Sequence, residues 1–326
     1  MKKVLAALFV STLAAAVASA QTGDINRINP HAQQFQAKGA GHGGGGGGSS
    51  NLIYHTGGTV IQSAHVVDIF WGASTDFPSG YATELQAYRD HYGSTNQYNV
   101  ITQYYDSANG NIVNANLGAY GDTADWLDTA NPLPASGNVT DALVQCEVQA
   151  YFLSSTATVT CADGSVKHGS GLGYAVDYSA IYEVFLPASH NGTSVYSSSG
   201  SSDSCGGPNL AYCAYHSHYG SGSTAVKYSI EPFASCSGCS TSGWSATQNQ
   251  EHFISHETRE AVTDELGNAW FDRRGYEADD KCAWSPTPFL VPTGTYTFGY
   301  QYEWSNHAGG CVQATTSGGT VTASPN

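Results

Sequence analysis

Residues 251–265 read EHFISHETREAVTDE, and they set His256, Glu257 and Glu260 within little more than one helical turn. His252, His256 and Glu260 recur every four residues, so on a helix they form one polar stripe. His256 and Glu260 then lie about 6 Å apart along the axis, close enough for an imidazole nitrogen and a carboxylate oxygen to converge on one cation. Glu257 adds a carboxylate able to take a proton from water beside that cation. A plainer reading of the same residues has His256 hydrogen-bonded at the core boundary and both glutamates solvated and paired with Arg259. The two readings differ in burial and in whether the side chains converge.

The pattern H-E-x-x-E departs from the H-E-x-x-H of zinc peptidases only at Glu260, and Glu257 takes the position of the base. A carboxylate also ligates zinc, and a harder donor set suits calcium or manganese as well. A hydrolytic zinc site needs a third protein ligand. Asp264 shares the stripe, but two turns put it about 12 Å from His256 if the helix continues. The next stretch, NAWFDRRGYEADDKCAW, offers Asp272, Glu277, Asp279 and Asp280, with Glu277 the first choice and Asp280 the second. Those four acids alternatively form a structural calcium site in a glycine-containing loop. Upstream, CAYHSHYG offers His216 and His218, which point the same way on an extended chain.

The helix that must hold these groups has readable ends. Ser245 with Gln248 makes a capping-box pattern, and Gly267 is placed to stop it. Phe253, Ile254, Ala261, Val262 and Leu266 form its apolar stripe. Strands are expected at 64–71, 145–153, 180–186 and 225–230, and helices near 82–92 and 97–106. Strands and helices mix without regular alternation, which predicts an α+β fold with a mixed sheet.

Residues 1–20 read as a signal peptide, with Lys2 and Lys3, an apolar core and an Ala-Ser-Ala ending. Residues 21–50 read as a glycine-rich flexible leader, with His42 a solvated linker histidine, and residues 51–326 as a single domain. No stretch is long enough for a membrane span. A net charge of −15 argues against nucleic acid and anionic membrane as partners. The expected location is therefore outside the cytoplasm, extracellular or periplasmic. Eight cysteines in an exported chain predict four disulfides. Neighbour pairing gives Cys146–Cys161, Cys205–Cys213, Cys236–Cys239 and Cys282–Cys311, although spacing leaves other pairings open. Cys236 and Cys239 alone have C-x-x-C zinc spacing, and no second such pair follows. There is no G-x-S-x-G elbow, no paired-carboxylate glycosidase motif and no phosphate-binding loop.

Four stretches together resemble the EXORDIUM/phosphate-induced protein family of secreted proteins and its bacterial relatives. They are YHTGGTVIQSAHVVDIFWG at 54–72, Cys213-Ala-Tyr-His216, SHETREAVTDELGNAWFDRRGYEADDKC at 255–282, and the segment from Trp304 to Cys311. The resemblance implies a zincin-like domain whose H-E-x-x-E helix lies beside His216. It places His216, His256, Glu257, Glu260, Glu277 and Asp280 at motif positions. It leaves His252 outside the motif, as a helix-surface residue, and Asp264-Glu265 departs from the family's usual pair. Two functions are consistent with it. One is an exported metal-dependent hydrolase, a zinc peptidase acting on a peptide or cell-wall substrate. The other is a non-catalytic extracellular protein that binds a wall polymer or a partner and has at most a structural metal site.

Overall fold

The structure is a computed structural model that describes residues 34–38, 50–316 and 318. The signal-peptide and His42 readings lie outside the described residues. Six strands form the main sheet: β1 (Gln34–Gln36), β2 (His65–Trp71), β3 (Trp126–Asp128), β4 (Ala180–Leu186), β5 (Tyr212–Tyr219) and β6 (Val226–Pro232). Their order is β1-β5-β6-β4-β2-β3. The β6-β4-β2-β3 part is parallel, while β5 joins β6 and β1 joins β5 antiparallel. The result is a mixed sheet in an α+β fold.

The largely apolar runs of β2 and β4, each interrupted by one buried acid (Asp68 and Glu183), are explained by their central place, because a parallel strand covered on both faces is buried throughout. Val66, Phe70, Ile181 and Phe185 pack on one side with Tyr88 and Tyr92 of α1 (Tyr81–Tyr92) and with Ile254 and Val262 of α3 (Ala246–Thr263). Val67, Ile69, Tyr182 and Val184 pack on the other side with Val144 and Val148 of α2 (Asp141–Tyr151).

Several expectations need correction. The segment expected as a strand at 145–153 is most of α2: Val144, Val148 and Tyr151 recur at helical spacing, and the helix begins before the apolar run does. The helix expected near 97–106 is only a 3-10 stretch over Tyr98–Gln103. The leader does not run free up to residue 50, since residues 34–36 are a strand of the main sheet. α3 stops at Thr263, so Leu266 is not on it. Asp264 takes the cap, accepting from the amides of Asn268 and Ala269 at 2.5 Å each, and Gly267 turns the chain afterwards at φ 67.

All eight cysteines are bridged, as Cys146–Cys161, Cys205–Cys236, Cys213–Cys239 and Cys282–Cys311. Two neighbour pairings hold and two do not. Cys213 lies on β5 and Cys239 in a 3-10 turn against it, so tertiary proximity overrides closeness in sequence. No helix among the described residues is long and apolar enough to cross a membrane.

Candidate metal centre

The Ser245 hydroxyl accepts from the Gln248 amide at 3.0 Å, and the Gln248 carbonyl oxygen accepts from the Ser245 amide at 2.9 Å. This reciprocal cap anchors α3, which is buried over nearly all its length. Thr258 donates to Glu183 on β4 at 2.8 Å, and Gln250 donates to Glu231 on β6 at 2.8 Å. These bonds fix the helix on the sheet and aim His256, Glu257 and Glu260 toward β5. The reading of solvated helix charges is thereby overturned: His252, His256, Glu257, Arg259 and Glu260 are all fully buried. His252 is not a surface residue either.

Three elements meet at Glu260. From α3, His256 Nε2 lies 3.0 Å from Glu260 Oε2. From β5, His216 Nε2 lies 3.6 Å from the same oxygen and 3.3 Å from Glu277 Oε2. From the loop after the helix, the Asp280 amide donates to Glu260 Oε1 at 2.9 Å, and Asp280 Oδ1 lies 3.9 Å from His256 Nε2. The Glu277 amide donates to Asp280 Oδ2 at 3.3 Å, and the Cys282–Cys311 bridge ties down this loop. Two overlapping triads result, His216/Glu257/Glu260 and His256/Glu260/Asp280, each with its ligand atoms within 4.8 Å of one another.

A residue without any motif orients this arrangement. Gln301 donates through its side-chain nitrogen to the Asp279 carbonyl at 2.7 Å, which leaves its Oε1 as an acceptor. That oxygen meets His256 Nδ1 at 3.2 Å and His252 Nε2 at 3.3 Å. A proton on His256 Nδ1 would satisfy this oxygen and aim Nε2 at Glu260 and Asp280, the outer support expected of a ligating imidazole. Nothing in the isolated sequence around Gln301 marks it. His252 was visible on the stripe, but its role here is to share the Gln301 oxygen.

The donor set fits a cation. Both oxygens of Glu257 and Glu277 Oε1 are buried without a hydrogen-bond partner, while His256 Nε2 and Glu260 Oε2 face each other. Buried acids left this way are costly, and a divalent ion answers all of them at once. Two imidazoles with carboxylates suit zinc, and the surplus of oxygen also admits harder ions. The electrostatics agree. Burial, and then the neighbouring Glu260 charge, push the Glu257 and Glu277 carboxyls well above the usual range, and the same two causes raise Asp280. Burial pushes Glu260 upward too, but the His256 and His216 imidazoles overcome it and bring Glu260 down to about 2. Burial disfavours a charged His256, yet Glu260 raises it overall.

The remaining candidates lie elsewhere. Asp264 caps the helix, and His218 stands outside both triads. Of the four loop acids, Asp272 faces Lys281 at 3.3 Å and Asp279 pairs with Arg259, so only Glu277 and Asp280 reach the centre. Cys205, Cys236 and Cys239 cluster, but as disulfides they offer no thiolate.

No family model, curated protein or solved structure matches this chain. The likeness to the EXORDIUM/phosphate-induced proteins therefore rests on the quoted motifs, and the chemistry rests on the site itself.

Proposed function

We propose that this chain is an exported metal-dependent hydrolase that cleaves peptide bonds, with Glu257 as general base. The observation that carries this reading is Glu257 itself. It is a fully buried carboxylate with two unpartnered oxygens, and it belongs to the His216/Glu257/Glu260 group beside His256.

His256, Glu260 and His216 would hold the ion, with Glu277 and Asp280 completing or supporting the set. When bound, a divalent cation supplies Lewis acidity, which lowers the cost of hydroxide and of negative charge on a carbonyl oxygen. Glu257, which the charge of a bound cation would hold ionised, would take the proton from water as the new C–O bond forms. It then returns that proton to the amine leaving group as the C–N bond breaks. Gln301 keeps His256 in the tautomer that presents Nε2, so the base and its neighbours need no rearrangement.

The test is a peptide-library digest of wild type, Glu257→Gln and His256→Ala, with metal content measured in parallel. Glu257→Gln should keep metal and fold and lose about 10²- to 10⁴-fold in rate. His256→Ala should lose the metal. Wild type that holds no metal and cleaves nothing overturns the assignment. Bound metal without cleavage leaves a structural ion site and favours a non-catalytic binder of a wall polymer or partner.

A further inference from the structure

β1 comes from the segment that composition marks as a leader, yet it lies against the candidate metal centre. It extends the sheet beyond β5, the strand that carries His216, with Gln34 opposite Tyr215 and Phe35 opposite Ala214. Phe35 is fully buried. Its ring stands edge-on to the His256 imidazole, centroids 4.5 Å apart, and 5.0 Å from both His252 and Trp284. The rest of the attachment is mostly main chain. Trp284 Nε1 donates to the Gln36 carbonyl at 2.8 Å, the Ala37 amide to Ala211 O at 2.9 Å, and the Lys38 amide to Gly238 O at 2.9 Å. Lys38 Nζ sits 4.2 Å over the Trp284 ring.

This is the pattern of strand addition. Backbone bonds along an exposed sheet edge supply sequence-independent affinity, and one side-chain pocket supplies the selectivity. The attachment is short, and in sequence it is followed by Gly-Ala-Gly-His and six glycines at 39–48, which places few side chains between it and the domain. A short strand held this way owes much of its occupancy to being tethered, so it is open to competition.

We propose that residues 34–38 are a displaceable strap lying in a peptide-binding groove along β5, and that the groove's ligand is an extended polypeptide with an aromatic side chain in the Phe35 pocket. With the strap in place, the ring covers the His256 side of the centre. With it displaced, β5 becomes the sheet edge and His216 and His256 border an open groove. The catalytic consequence rests on the hydrolase reading, whereas the groove itself does not.

The experiment uses the full chain with a recognition site for a specific protease substituted within the glycine run. The protein is purified intact and then cut. A synthetic peptide of residues 31–40, HAQQFQAKGA, is added in excess and followed by tryptophan fluorescence, to which Trp284 contributes, and by native mass spectrometry. The cut protein should exchange its own strap for the peptide, and a peptide with Phe35→Ala should bind about tenfold more weakly or worse, as for an aromatic anchor. Zinc uptake and removal by chelator should speed up after the cut and slow again when the peptide is added. A strap that excess peptide does not displace, or binding indifferent to Phe35, overturns the proposal. Hydrolysis that is equal before and after the cut also overturns it while leaving the hydrolase reading intact. Phe35-dependent peptide binding without any hydrolysis keeps the groove and sinks the hydrolase.

Discussion

Helix α3 carries two buried charged clusters that differ in one respect. Around Arg259, Asp279 is paired directly, and Glu303 Oε2 stands 2.5 Å from the guanidinium Nε. Burial raises Asp279 to about 7 even against the opposing pull of Arg259, and it also raises Glu303. One cation thus faces two acids that burial makes reluctant to ionise together, and the cluster approaches neutrality from protein groups alone. One residue along, Glu257, Glu260, Glu277 and Asp280 face only two histidines, and several oxygens have no partner. The first cluster sets one guanidinium against two acids, whereas the second sets four acids against two imidazoles. Burial alone does not separate structural from functional charges, since both clusters are fully buried. Unmet oxygens do not separate them either, since Asp279 Oδ2 and Glu303 Oε1 also lack a hydrogen-bond partner; the balance of charge does.

The comparison breaks most visibly at Arg259. Arg259→Met should destabilise the fold by about 3–5 kcal/mol, because Asp279 and Glu303 would be left buried without a counter-charge. Chemical denaturation measures this, and zinc should not restore the loss. A loss below 1 kcal/mol or so would mean that the two acids are protonated and that the cluster was never an ion pair.

Two further buried acids set the pH response. Burial lifts Glu251 to about 9 and Glu231 to about 8, and the hydrogen bonds each accepts offset this only in part. With folded-state pKa values above the unfolded ones, the folded protein holds more protons between about pH 4.5 and pH 8–9. Stability is then full below this window and falls as pH rises through it, by at most about 1.4 kcal/mol per pH unit for each group. Glu251→Gln should flatten the slope of denaturation midpoint against pH. An unchanged slope would show that Glu251 ionises normally in the fold.

At the second cluster the sign reverses. Glu277→Gln removes an acid raised by burial and by Glu260, so the metal-free protein should gain about 1–2 kcal/mol. The same change should weaken zinc binding. Thermal melts with and without zinc resolve the two effects, and destabilisation in both conditions would mean that Glu277, like Asp279 beside Arg259, has a structural role. The smallest effect is expected at the helix start. Ser245→Ala should cost about 1 kcal/mol through loss of the cap, equally with and without metal.

The helix, its Ser245 and Gln248 cap and its polar stripe were legible because they are local: spacing and capping chemistry act within a few residues. The strands at 64–71 and 180–186 were legible because burial on both faces leaves runs that are largely apolar, with one acid each, Asp68 and Glu183. The Arg259 cluster was not legible, since Arg259 meets Asp279, Glu303 and Gln301 only through the return of distant chain. For the same reason His252 looked exposed and Gln301 looked ordinary. α2 was missed because its apolar residues, read from 145 onward, resemble a strand once the helical turn before them is ignored. β1 was hidden because its few residues are embedded in a polar, glycine-rich segment, and pairing with β5 supplies the bonds that composition does not reveal.

The interleaving of two disulfides bears on how the chain matures. Cys205 joins Cys236 and Cys213 joins Cys239, so each loop encloses one end of the other. During synthesis from the N-terminus, Cys205 and Cys213 emerge together before either native partner exists. An oxidant acting early closes the bond between these neighbours, and thiol exchange must then reopen it. A compartment that isomerises disulfides as well as forming them would favour the native pairs over the Cys205–Cys213 bond.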